Sequence, residues 1–307
     1  MRKILLLLGI GAAILLASCS PQEPLKVCTL YTGAGYDEHV ETMLEERWIT
    51  IGKLVAAHQF DLLCLQEVHP DRLQKLSGEL DTYKSLPDFG RLFSPSVETC
   101  PIFYSPQRLK LLADSQFWLS ETPDVAGSMS WGALFPRTVT WGKFMNLQTG
   151  HIFFVFNAHF CHLNEDARMM SSSLLLRKIN EIAGQAPVVL TGNFNSLTDG
   201  PAERLLAANW DPLYSFENSV RLMETKEPGF GKKLPLVLTD HIFINSLFEI
   251  EKYQVHQAPF LEQLFRGHHP ISSQLSFNRE GQKRKGPIVV PPWQDERLSH
   301  LWKGGSR

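Results

Sequence analysis

Five short segments carry the side chains best suited to chemistry. Asp61-Leu62-Leu63-Cys64-Leu65-Gln66-Glu67 sets a carboxylate just past an apolar run, and Asn157-Ala158-His159-Phe160-Cys161-His162 sets a histidine at the end of another. Thr191-Gly192-Asn193-Phe194-Asn195 closes a third run with two amides in a turn. Leu238-Thr239-Asp240-His241-Ile242-Phe243 embeds an acid in a fourth, and Gly267-His268-His269-Pro270-Ile271 precedes a fifth. Carboxylate and amide oxygens bind hard cations, and histidines move protons near neutral pH. Taken singly, each segment also has a plain structural explanation. A Glu ending a strand is usually solvated, and Asn in a turn usually just makes the turn. His159 and His162 make half a zinc site, with His268 and His269 as the only further histidine pair and no convincing ligand spacing. Asp240 is harder to dismiss, because an unpaired carboxylate among apolar residues is costly.

The elements that must position these groups alternate between strand and helix. Lys26 to Tyr31 reads as a strand, and Val40, Met43, Leu44, Ile51, Leu54 and Val55 then recur at helical spacing up to about Gln59. Further strands are predicted at Phe60–Leu65, Pro101–Ser105, Thr138–Asn146, Ile152–Ala158, Val188–Thr191, Val237–Ile244 and Ile271–Phe277. A second helix is predicted from Asn164, an N-cap followed by Glu165 and Asp166, to Ala183 before Gly184. A third begins around Asp199 with Pro201 in its first turn. There is no internal repeat and no interior linker, so one α/β domain is expected over residues 26–277. The chemical groups then cluster at strand ends, where open α/β sheets build their sites.

The chain's 307 residues, 43% of them hydrophobic, exclude a wholly disordered protein. Its first residues read as targeting. Arg2 and Lys3 precede an apolar run from Ile4 to Leu16, and Leu16-Ala17-Ser18-Cys19 resembles the lipobox of bacterial lipoproteins. The resemblance implies a signal peptide over residues 1–18, a lipid such as palmitate on Cys19, a short tether over 19–25, and export to a membrane-anchored location. Removing Arg2 and Lys3 takes the formal charge from −2 to about −4. With a pI near 6.6 and no interior basic stretch beyond Lys232-Lys233, the sequence gives no support for bulk nucleic-acid binding. Residues 278–307 carry a net charge of +4, which suits a solvated tail, or one resting on anionic headgroups. Of the remaining cysteines, Cys28 and Cys64 read as buried small hydrophobes, and no pairing with Cys100 or Cys161 follows from the sequence.

In their order along the chain, the five segments resemble the endonuclease/exonuclease/phosphatase family of metal-dependent phosphoesterases. Pro101-Ile102-Phe103-Tyr104-Ser105, Phe117-Trp118-Leu119-Ser120-Glu121-Thr122-Pro123, Pro136-Arg137-Thr138-Val139-Thr140-Trp141 and Ala167-Arg168 fit as well. The resemblance implies a DNase I-like four-layered α/β sandwich with two central mixed sheets. It further implies one divalent cation, Mg²⁺ or Mn²⁺, with Glu67 as the main charged ligand and in-line attack of water on phosphorus. His159 would contact or protonate phosphate oxygens, Asn195 would orient the phosphate, Asp240 would support the site and help at the leaving group, and His268 would work at the nucleophile side. Gln66 and Arg137 would support them.

The departures from the family pattern are equally specific. The family's Thr-aromatic-Asn at the end of the first strand is Thr29-Leu30-Tyr31. Its Gly-Asp-Phe-Asn is Gly192-Asn193-Phe194-Asn195, and its Ser-Asp-His is Arg266-Gly267-His268. By resemblance, an Asp at 193 would orient or deprotonate the attacking water, which an amide cannot do, and an Asp at 267 would hold the catalytic histidine. Two readings follow: an exported phosphoesterase with altered water activation, and a catalytically impaired relative that binds a phosphorylated ligand or a protein partner. The ester class and the oligomeric state are not readable.

Overall fold

A computed structural model describes residues 22–33, 41–86, 99–207, 216–226, 238–257, 265 and 267–278. The expected signal peptide, Cys19, Lys232-Lys233 and nearly all of the basic tail lie outside these residues.

The chain runs β1 (Leu25–Tyr31), α1 (Glu41–His58), β2 (Leu62–Gln66), α2 (Pro70–Glu79), β3 (Lys84–Leu86), β4 (Ile102–Tyr104), β5 (Leu109–Trp118), β6 (Thr138–Asn146) and β7 (Ile152–His159). It continues with α3 (Glu165–Ala183), β8 (Val188–Asn193), α4 (Pro201–Ala207), β9 (Phe216–Asn218), α5 (Ser219–Lys226), β10 (Asp240–Asn245), β11 (Phe248–Val255) and β12 (Ile271–Phe277). Two six-stranded sheets result, ordered β11-β12-β1-β2-β4-β3 and β5-β6-β7-β8-β10-β9. Each sheet holds one parallel pair, β1 with β2 and β7 with β8. Parallel neighbours need a long crossover, and α1 and α3 supply it with 18 and 19 residues. Asn164 caps α3 by accepting from the Ala167 N–H at 3.1 Å.

Period-two alternation sends each strand's residues into two different cores. Leu62 and Cys64 of β2 face the opposite sheet with Val155 and Val189, while Leu63 and Leu65 pack under α1 and α2 against Trp48, Ile51 and Leu76. In the second sheet, Phe154, Phe156 and Leu190 pack under α3 against Leu174, Leu175 and Ile179. The result is the four-layered α/β sandwich with two central mixed sheets. Strands buried on both faces read as unbroken apolar runs, which is why these were visible in the sequence.

Other elements were not visible. Among its described side chains, helix α2 offers only Leu73 and Leu76 to its core, and the ten-residue β5 is buried only at its two ends. In β11 a bulge between Ile250 and Lys252 interrupts the alternation. All four described cysteines are buried free thiols. Among the described residues, no helix is long and apolar enough to cross a membrane.

Gly192 of β8 is paired with Ala158 of β7 at the centre of the second sheet. A Cβ there would stand 2.1 Å from the Ala158 carbonyl oxygen, a backbone atom that cannot swing aside. Gly192→Ala is therefore expected to destabilise the fold by roughly 3 kcal/mol, seen as a lowered urea midpoint. An unchanged midpoint would contradict this packing.

Candidate functional site

The site is built where the C-terminal ends of both parallel pairs meet. Inward-facing positions that are apolar lower down become polar there, with Thr29, Gln66, Asn157 and Thr191 all fully buried. Gln66 Nε2 donates to Thr29 Oγ1 at 2.8 Å and, across the sheets, to Asn157 Oδ1 at 2.6 Å. Asn157 Nδ2 returns to the carbonyls of Leu65 and Pro101 at 2.8 and 3.0 Å. Buried polar groups linked in this way fix one relative placement of the two sheets. Gln66 thus acts by holding the floor.

Two histidines stand on this floor in opposite states. His159, at the end of β7, is buried, and its Nδ1 lies 2.8 Å from Arg137 Nη1. A guanidinium can only donate, so Nδ1 is the acceptor and the ring proton resides on Nε2. Burial, then the charge of Arg137, push the His159 pKa well below its ordinary value, with His162 and His268 adding to the effect. His268 is the reverse. Its Nδ1 donates to Asp240 Oδ2 at 2.5 Å. Burial opposes its charge, but the Asp240 hydrogen bond and the charges of Asp240 and Glu67 outweigh burial and raise its pKa. Groups pushed apart in this way are the signature of an acid and a neutral donor sharing one site.

Asn193 completes the second pair. Its Nδ2 donates to Asp240 Oδ1 at 3.2 Å, while its Oδ1 accepts from the Asn195 N–H at 3.2 Å. Asn195, held at φ +47°, donates its side-chain amide to the Phe160 carbonyl at 2.9 Å. Tyr31 packs between the two histidines, its ring centroid 4.3 Å from that of His268 and 5.5 Å from that of His159.

The resemblance implied that losing the family's Asp at 267 would leave the catalytic histidine unheld; here Asp240 holds it. Gly267 has φ +84° and open space where a Cβ would stand, so its lack of a carboxylate leaves the histidine's partner intact. The zinc reading is also corrected. Nδ1 of His159 and Nδ1 of His162 both accept from Arg137, the latter at 3.1 Å, and His268 Nδ1 is committed to Asp240. A guanidinium between two imidazoles repels a cation. Among the described residues, no three His, Cys, Asp or Glu side chains are grouped to hold a metal.

A hard cation that keeps its waters fits better. Glu67 follows β2 at φ +59°, a left-handed conformation that is uncommon for a side-chain-bearing residue, and its Oε2 is buried without a hydrogen-bond partner. Its charge reaches both His162 and His268. Mg²⁺ commonly binds through one or two carboxylates, with water and phosphate completing its shell. One orphaned carboxylate oxygen facing the site suits that mode.

The sequence missed the ring of Tyr31 as a wall of the site, and it missed Phe135. Phe135 is exposed and stacks on His162 with centroids 6.1 Å apart and planes 20° apart, while Arg137 lies 5.8 Å over its ring. Its position two residues before Arg137 was the only sequence signal available.

The low pKa values have a consequence for stability. His159 and His256 are held neutral, His256 down at about 4 through burial and the nearby His58 and Lys252. A base whose folded pKa is depressed takes up a proton more readily when unfolded. The stabilisation is therefore complete above pH 6.5 and is lost as pH falls toward 4. Urea midpoints that drop across this window are expected, and a flat profile would refute the assignment.

The Endonuclease/Exonuclease/phosphatase family model matches residues 49–260. Among solved structures, an endonuclease/exonuclease/phosphatase from Bacteroides vulgatus is similar at 26% identity with a TM-score of 0.70, covering 84% of this chain and 100% of its own. A mannosyl-6-phosphatase from Bacteroides thetaiotaomicron is similar at 24% identity and TM-score 0.66, covering 82% and 100%. The human Nocturnin catalytic domain with bound sulfate shares the fold at 16% identity and TM-score 0.64, covering 83% and 94%. No curated protein matches the chain.

Proposed function

We propose, since the chain belongs to the endonuclease/exonuclease/phosphatase family, that it hydrolyses phosphate esters with one Mg²⁺ or Mn²⁺ held at Glu67. Members of this family generally depend on a divalent metal. The observation that carries the reading is the His268–Asp240 pair, whose contact raises the His268 pKa, opposite the neutral His159 and near the orphaned oxygen of Glu67. A cation bound there supplies neutralisation of the phosphate charge and polarisation at phosphorus.

The chain's own groups supply the rest. His159 Nε2–H and the second amide hydrogen of Asn195 bind phosphate oxygens. Arg137, fixed by His159 and His162, lends positive potential behind them. His268, charged through Asp240, gives its Nε2 proton to the leaving oxygen and regains one from solvent. Its charge suits that role better than accepting a proton from the attacking water. Asn193 cannot take that proton either, so the attacking water gives it up to a phosphate oxygen or to solvent, without a carboxylate base at this position, and turnover is slow.

The rim supports a substrate whose remainder has an apolar or planar face. Phe135 lies beside His162, and Leu134, Leu163 and Leu197 are exposed within two residues of site residues in sequence. We further propose export and lipid attachment at Cys19. Strand β1 enters at Leu25 and ends under His268 at Tyr31, ~20 Å later. A tether from Cys19 then joins the end opposite the catalytic mouth, which opens away from the anchoring membrane toward soluble esters.

Turnover of phosphomonoesters and phosphodiesters by the purified chain, with Mg²⁺ or Mn²⁺ and with chelator, tests the reading. Glu67→Ala is expected to lower turnover by ~10³-fold. Turnover indifferent to both chelator and this variant would refute it. The competing reading, a binder without catalysis, is favoured by the amide of Asn193 donating to Asp240. It would be established by phosphate binding at His159 and His268 with no turnover of any ester.

A further inference from the structure

We propose that the outer face of the first sheet carries a second oxyanion site, specific for a phosphate group, formed by Lys26, Lys252, His58, Gln254, Ser272 and Gln274. It is independent of the function proposed above and lies ~16 Å along β1 from Tyr31.

Register places the groups. Lys252 of β11 is paired with Gln274 of β12, which is paired in turn with Lys26 of β1. The two lysines therefore flank one glutamine at two strand spacings, ~10 Å between their Cα atoms. One step along, Gln254 is paired with Ser272. The β11 bulge makes this row possible. Without it, alternation from the buried Ile250 would turn position 252 into the core. With it, Glu251 and Lys252 are both exposed and Tyr253 is buried. Bulges commonly re-aim a side chain in this way.

A cavity of about 210 Å³ lies among these residues, large against the ~10–15 Å³ that admits one water. Its lining includes two lysines, a histidine, two glutamines and two serines, and no carboxylate. Among the described residues, neither lysine has an ion-pair partner. Asp61 is close to Lys26 but is engaged by Arg108 Nε at 2.9 Å and by the Lys26 backbone N–H at 2.8 Å. Glu251 accepts from Ser276 at 2.6 Å, outside the cavity. After burial, the charges of Lys252 and Lys26 are what depress the His58 pKa, so both ammonium groups act on the same imidazole. His256 stands behind it, 4.4 Å from His58 between ring centroids, with Nε2 2.8 Å from Ser272 Oγ. Concentrated, unneutralised positive charge over a donor-lined hollow is what a phosphate oxyanion requires. The phosphate could be free or the headgroup of an anionic lipid, since the row lies toward the Leu25 end of β1.

The test is a titration of the full chain with inorganic phosphate, read on the imidazole NMR signals of His58 and His256. These report on this cavity, whereas His159 and His268 report on the catalytic site. Saturable shifts at His58 and His256 are expected, weakened at least tenfold by Lys26→Gln with Lys252→Gln, while the responses of His159 and His268 stay unchanged. A parallel arm measures co-sedimentation with phosphatidylglycerol and phosphatidylcholine vesicles. Tenfold loss of phosphatidylglycerol binding in the double variant assigns the site to headgroups; phosphate shifts without vesicle dependence assign it to a soluble phosphate. Absent or non-saturable shifts at His58 and His256, with no vesicle effect, would overturn the proposal and leave the lysines merely offsetting the negative C-terminal end of α1.

Discussion

Asp240→Asn is expected to lower ester turnover by ~10²–10⁴-fold, the usual range for losing a positioned proton donor. The substitution keeps the shape of the side chain but removes the charge that holds His268 Nδ1 at 2.5 Å. Burial then opposes the imidazolium with only Glu67 on the other side, and the ring becomes neutral near pH 7. The pH profile identifies the cause. In the parent, a raised His268 pKa means activity declines only as pH rises through a value above 6.5. In the variant that alkaline limb moves to lower pH. Stability follows the same sign. A base with a raised folded pKa stabilises fully below its unfolded pKa and loses that contribution as pH rises through the folded value. The variant's stability loss is therefore largest in acid and smallest in alkali. A variant within tenfold of the parent, or one with an unmoved alkaline limb, would remove His268 from the role of acid.

Asn193→Asp is expected to act in the opposite direction, raising turnover by ~10²-fold at neutral pH. The new carboxylate would lie where Asn193 Nδ2 is now 3.2 Å from Asp240 Oδ1. Two carboxylates at that distance cannot both ionise freely, so one proton is shared and one pKa rises toward neutrality. That is where a general base for water works best. The gain comes at a structural cost, because a donor to Asp240 is lost and a buried carboxylate is added, together worth ~1–3 kcal/mol of stability. The combination to look for is faster turnover with a lower urea midpoint. Unchanged or slower turnover would show that the absent base at position 193 is not what limits the chain.

Much of the scaffold was legible because its central strands are buried on both faces. Phe60–Leu65, Ile152–Ala158 and Val188–Thr191 read as apolar runs, and all lie within or beside observed strands. The predicted and observed strands coincide at Thr138–Asn146 and Ile271–Phe277. The signals failed where burial is one-sided or interrupted. Strand β5 is buried only at its ends and lacks a period-two pattern, β9 is three residues long, and the β11 bulge hides its alternation.

At the site, the sequence by itself determined which residue types gather at the strand ends, and so which chemistry was available: Glu67, His159, Asn193 and Asn195, with Asp240 at the start of its own strand and His268 ahead of the last one. It could not determine their pairing, because every decisive contact joins residues distant in the chain. Asp240 meets His268 from 28 positions away, Asn193 meets Asp240 from 47, and Gln66 meets Asn157 from 91. Only the tertiary structure decided that Asp240, and not residue 267, orients the histidine. It also decided that burial and Arg137 push two imidazoles toward the neutral form while Asp240 favours the charged form of a third. Protonation follows from burial and from the nearest charges, and both are set when two sheets close face to face.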